Sequence, residues 1–182
     1  MLALLQACAQ VGAHLSPEYS AHAPKKIAVL APRSNVGDGA GGEELAEQSA
    51  LLLEAAGYEV LRELEVKAAL GETEPAGDPA ALAAQLGVDA LLHITVLRWD
   101  YRARIYASDY TVAAGFRLVA ADGTELWRVD EHSESLSRET RQGHPQESFR
   151  AGGEDEFERL AARLVARVFD TLPPRAGIPG NQ

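Results

Sequence analysis

Three long stretches of alternating polarity, packed into residues 89–136, set the tightest limit on how this chain can fold. Alternation with period two sends successive side chains to opposite faces of a strand. Residues 89–105 read as one long strand, 108–120 as a second and 125–136 as a third. In the second, Tyr110, Val112, Ala114, Phe116 and Leu118 share a face, and Gly115 marks a bend or bulge among them. Ala121-Asp122-Gly123-Thr124 carries the Asp-Gly pair of a tight hairpin. An antiparallel meander is therefore expected in this half of the chain.

The first half has a different rhythm. Ile27-Ala28-Val29-Leu30-Ala31 is a short apolar run, as for a strand covered on both faces, and Pro32 stops it. Arg33 to Gly42 is a polar, glycine-rich loop. Glu43 to Ala56 reads as a helix, with Leu45, Ser49, Leu52, Leu53 and Ala56 on one stripe and Gly57 as its stop. A short strand at 58–61 follows, then a helix at 63–70 ended by Gly71. Asp78 caps a further helix with Pro79 at its first position, running to near Gly87. Strand alternating with helix favours parallel pairing through right-handed crossovers. After the meander, residues 137–153 form a long polar loop. Glu154 to Leu172 is the most strongly patterned helix, with Phe157, Leu160, Ala161, Leu164, Val165 and Val168 on its apolar side. The sum is one α/β domain over residues 25–172: a two-layer sandwich, mixed sheet, helices on one face. Residues 173–182, starting with Pro173-Pro174, are expected to be a disordered tail.

Charge narrows the partners. The 182 residues hold 27 acids against 17 bases, a formal net charge of −10. Phosphate backbones are repelled by such a surface, which argues against nucleic acid, and anionic lipid gains nothing from the overall charge. No run reaches the roughly 18 apolar residues of a spanning helix. The single cysteine excludes an internal disulfide.

That cysteine, Cys8, closes Leu5-Gln6-Ala7-Cys8, which looks like a bacterial lipobox, with a stray terminal thiol as the plainer reading. Residues 1–7 then read as the remnant of a lipoprotein signal peptide, and the lipidated mature chain begins at Cys8. Ala9, rather than an aspartate, follows it, which permits sorting to an outer membrane. Residues 8–24, with Ser16, Pro17 and Pro24, read as a flexible linker; the sixteen residues after Cys8 span about 20–24 Å.

Several constellations invite a chemical reading. Gly37-Asp38-Gly39-Ala40-Gly41-Gly42 contains G-x-G-x-x-G between a strand and a helix, with Glu63 about twenty residues on, as in dinucleotide-binding folds. Against it stand the five residues before Gly37, the acids Asp38, Glu43 and Glu44 where a pyrophosphate would lie, and the lack of a second nucleotide-binding half. A nucleotide-binding enzyme using Gly37–Gly42 is the alternative function. Asp130, His132 and Glu134 alternate along a strand and so share a face, a metal-capable pattern. The simpler reading is the solvated end of a long edge strand. His93 reads as a hydrogen-bonded histidine in a half-buried strand. Trp99, Tyr101, Arg102, Arg104, Tyr106 and Tyr110 surround a turn, with Arg98 interleaved. Tryptophan, tyrosine and arginine favour interfaces, so this is the candidate partner-binding edge; a hairpin whose aromatic rings pack on each other is the competing reading. No catalytic, cofactor-binding or metal-binding residue is assigned.

As an ordered set, Ile27–Pro32, Asn35, Ala55-Ala56-Gly57-Tyr58-Glu59-Val60, Leu86-Gly87-Val88-Asp89-Ala90 and the hairpin Asp122-Gly123-Thr124-Glu125-Leu126-Trp127 resemble a family of bacterial lipoproteins known only as a domain of unknown function. The resemblance spans about residues 25–135. It implies a fold like the amino-terminal domain of TolB, a membrane-anchored, periplasm-facing location, and envelope assembly beside CsgG-like lipoproteins, with oligomers among the possibilities. It implies no catalytic residues and no cofactor.

Overall fold

The computed structural model describes residues 11–37, 40–71, 78–104, 107–139 and 153–175. In chain order its elements are β1 (Ala13–Leu15), β2 (Lys26–Val29), β3 (Arg33–Ser34), α1 (Gly42–Ala55), β4 (Glu59–Leu61), α2 (Glu63–Leu70), α3 (Pro79–Leu86), β5 (Ala90–Ala103), β6 (Ala107–Ala120), β7 (Glu125–Glu139) and α4 (Gly153–Phe169). The strands form one mixed sheet ordered β1-β7-β6-β5-β2-β4, with β3 also paired to β5. Pairing is parallel among β2, β3, β4 and β5, and antiparallel among β5, β6, β7 and β1. The architecture is the α/β sandwich that the alternation of patterns predicts.

The main core lies between the sheet and the pair α1–α4. Apolar residues at alternate positions of the central strands, such as Leu92, Ile94, Phe116, Leu118, Trp127 and Val129, meet Leu45 and Leu53 of α1 and Leu160, Leu164 and Val168 of α4. Trp127 is fully buried, and its indole N–H donates to Thr171 Oγ1 at 3.0 Å. Among the described residues the opposite face is covered only at the parallel end. There Val66 of α2 and Leu82, Ala83 and Leu86 of α3 pack on Ala28, Leu30 and Leu91. Helices thus occupy the second face as well as the first, because β2 is apolar on both faces. The rest of that face, beneath the long hairpins, carries no helix among the described residues.

One expectation is corrected. Residues 13–24 are not a flexible linker. β1 pairs with β7 in the register Ala13↔Val129 and Leu15↔Trp127, and Ser16 N–H donates to Leu126 O at 2.9 Å. Tyr19 is buried; its hydroxyl lies 2.5 Å from that of Tyr58, which donates to Pro173 O. The low apolar content concealed this, since one aromatic anchor and three backbone pairings suffice to dock the segment. Two smaller differences follow. β3 emerges from the stretch read as loop, and β7 runs to Glu139, past the expected end at 136. The remaining loop residues 140–152 and the tail 176–182 lie outside the described residues.

Candidate functional site

A one-residue slip in β5 sorts the candidate partner-binding residues onto two faces. Val96 pairs with Ala114, but Arg98 pairs with Ala113, so Leu97 is bulged. The bulge keeps Trp99 and Tyr101 on the helix side, in phase with Ile94 and Val96. Trp99 stacks on Phe157 of α4, with centroids 4.9 Å apart and planes at 14°. Tyr110 meets Phe157 edge-on at 5.4 Å and Tyr101 at 5.2 Å. Tyr110 is 1% exposed, which removes it from any binding surface. These aromatic rings clamp α4 onto the hairpin. Tyr106 lies outside the described residues.

Arg98, Arg102 and Arg104 point to the other, uncovered face and are exposed. Arg104 Nη2 lies 2.6 Å from Asp109 Oδ2. Together with Asp100, Thr111 and Ser135 the arginines line a polar recess of about 560 Å³. Of the candidate partner-binding residues, Arg102 and Arg104 are the ones exposed, and both lie on the arginine side of this hairpin.

The glycine-rich loop has a packing role at its described end. Gly41 caps α1 in the left-handed region at φ 77°, and a Cβ there would stand 2.1 Å from the Trp99 ring. The ring occupies the space in front of the helix start, and Glu43 and Glu44 fill its first turn. Gly39 lies outside the described residues. This arrangement gives the nucleotide-binding alternative no support.

Asp130 does not join His132 and Glu134. Phe116 pairs with Val129, whereas Ala114 pairs with His132, so Asp130 and Glu131 bulge opposite Gly115. The bulge leaves Asp130 exposed and turns His132 and Glu134 under α4, both less than a tenth exposed. The expected solvated strand end is thus corrected: Glu134 lies 2.8 Å from Arg167 Nη1 and 3.3 Å from His132 Nε2. Among the described residues no three potential ligands are placed to hold a metal ion.

A second constellation escaped the sequence reading. On the uncovered face, His93, Arg117 and Arg128 form a straight cross-strand row through β5, β6 and β7. Beside it Arg33 of β3 pairs with Thr95, which in turn faces Gly115. These residues line a cavity of about 340 Å³, walled on one side by Leu30 and Pro32. Arg117 Nε and Arg128 Nη1 share Glu125, at 2.7 and 3.2 Å, and Arg128 Nε lies 3.0 Å from Asp130 Oδ1. Burial, and then the charges of Arg117 and Arg33, hold the His93 imidazole below its ordinary pKa. The hairpin turn at 121–124 registers Arg117 against Arg128, so that part of the row was present in the sequence.

No protein-family model matches the chain, and a search of curated proteins finds no match. Solved structures do. Lipoprotein GNA1162 from Neisseria meningitidis is 28% identical, with a TM-score of 0.53, over 75% of this chain and 99% of its own. The PelC dodecamer from Paraburkholderia phytofirmans is 18% identical, with a TM-score of 0.54, over 83% of this chain and 89% of its own. The second likeness concerns the fold alone. The first makes this chain similar to a bacterial lipoprotein in fold and in more than a quarter of its aligned residues.

Proposed function

We propose that this protein is a lipid-anchored, periplasm-facing module of the bacterial envelope that works by docking other proteins rather than by catalysis. The observation that carries the reading is the likeness to GNA1162, which spans nearly all of that lipoprotein. Cys8 supplies the acylation point. From Cys8 to the first residue of β1, Ala13, there are five backbone steps, an extended reach of at most about 18 Å. The β1–β7 edge therefore lies close to the membrane surface. Ala9 after Cys8 permits sorting to the outer membrane. The docking surface is the sheet face bearing Arg98, Arg102 and Arg104, on which none of the described helices packs.

A TolB-like lineage and partnership with CsgG-like lipoproteins belong to this reading through the segments that resemble that family. PelC, which shares the fold, is a dodecamer; an oligomer of this chain suits an assembly module. Fractionation in the native host tests the proposal. Wild-type protein is expected in the outer-membrane fraction and Cys8→Ala in the soluble periplasm. Equal partition of both into the soluble fraction overturns it.

A further inference from the structure

Two arginines directly opposite each other on neighbouring strands repel, and proteins normally avoid the arrangement. Here Arg117 faces Arg128, His93 continues the row, and Arg33 approaches from β3. The chain as a whole carries a charge of −10, so this concentration of guanidinium groups is a local exception to the surface around it. Glu125 and Asp130 balance two of the three arginines. The Arg33 side chain has no ion pair or hydrogen bond among the described residues. A cavity lies between them, of a size that takes a small ligand. Its floor is the uncovered sheet, its wall Leu30 and Pro32, and its entrance faces away from α1 and α4.

The shape of the charge selects the ligand. A planar carboxylate is satisfied by one bidentate fork. A tetrahedral phosphate offers three oxygens and nearly two charges, and suits guanidinium donors arriving from separate strands. We propose that this cavity binds a phosphate group, held by Arg33 and Arg117 and oriented by Arg128 and Thr95. The group belongs either to a soluble phosphorylated molecule or to a lipid headgroup. The inference goes beyond the docking role and does not depend on it.

The test is calorimetric titration of the full 182-residue chain with inorganic phosphate, and in parallel with acetate. Saturable phosphate binding is expected, weakened about tenfold or more in Arg33→Gln and in Arg117→Gln. Arg159→Gln, on α4, is expected to bind as wild type. Arg33 is exposed, so its variant remains informative should Arg117→Gln fail to fold. Flotation with phosphatidylcholine vesicles containing phosphatidic acid then separates the two sources. Flotation that Arg33→Gln abolishes assigns the group to a lipid; phosphate binding without flotation assigns it to a soluble molecule. No saturable phosphate binding, undiminished binding by Arg33→Gln, or equal affinity for acetate overturns the proposal.

Discussion

At Gly115 a methyl group would stand 2.5 Å from the carbonyl oxygen of Asp130. The clash is with backbone, so nothing nearby can swing aside. Gly115→Ala is expected to lower stability by about 1–3 kcal/mol, the usual cost of overpacking, read as a lower urea midpoint. A second residue-scale prediction concerns His93. Its folded pKa is depressed by burial and by Arg117 and Arg33. The unfolded chain therefore binds the proton more readily, and stability is lost as pH falls from about 6.5 through the folded value. His93→Gln is expected to flatten the decline in urea midpoint between about pH 6.5 and 5, above the range where carboxylates of ordinary pKa titrate. An unchanged slope contradicts the assignment. Asp89 offers a third case. Its Oδ2 accepts the backbone N–H groups of both Lys26 and Lys25 at 2.9 Å, which holds its carboxyl below the ordinary range. Asp89→Ala is expected to cost about 1–2 kcal/mol, as these charged hydrogen bonds tie the start of β2 to β5.

Among the elements, α4 depends on two kinds of contact. Phe157 anchors its start in the Trp99–Tyr110 clamp, and Glu134 holds its later turns through Arg167. Phe157→Ala is expected to destabilise by about 3–4 kcal/mol in chemical denaturation, the cost of emptying an aromatic site in a core. The same helix shows what a sequence can and cannot reveal. Its apolar stripe was legible because helical period and burial coincide along seventeen residues. The strands of the meander were legible for the same reason, and the Asp122-Gly123 turn fixed their pairing. The face presented by each residue was not. A bulge is one extra residue in one strand, and it reverses the facing of everything beyond it relative to a strict alternation. The bulge at Leu97 put Trp99 inside, and that at Asp130-Glu131 buried His132 and Glu134, so the shared face read for Asp130, His132 and Glu134 failed. Gly115 signalled the second bulge; no special residue signalled the first.

For the molecule as a whole, the uneven covering of the sheet is the feature that matters. Among the described residues α1 and α4 close one face, α2 and α3 close the parallel end of the other, and the remainder bears arginines paired with acids, among serines and threonines. Net charge, read from composition, could not show that cations gather there, because composition carries no position. Nor could a polar stretch around Pro17 show that Tyr19 reaches Tyr58 and closes the sheet edge with β1. With β1 docked, the proposed lipid on Cys8 would hold the body within one short tether of a bilayer. The envelope role proposed above rests on a thioether bond at Cys8. Mass spectrometry of the amino-terminal peptide, taken from the protein made by its own gene in its native host, tests this most directly. A peptide beginning at Cys8 and heavier by a diacylglyceryl group is the predicted result; a peptide running unmodified through Cys8 contradicts the account.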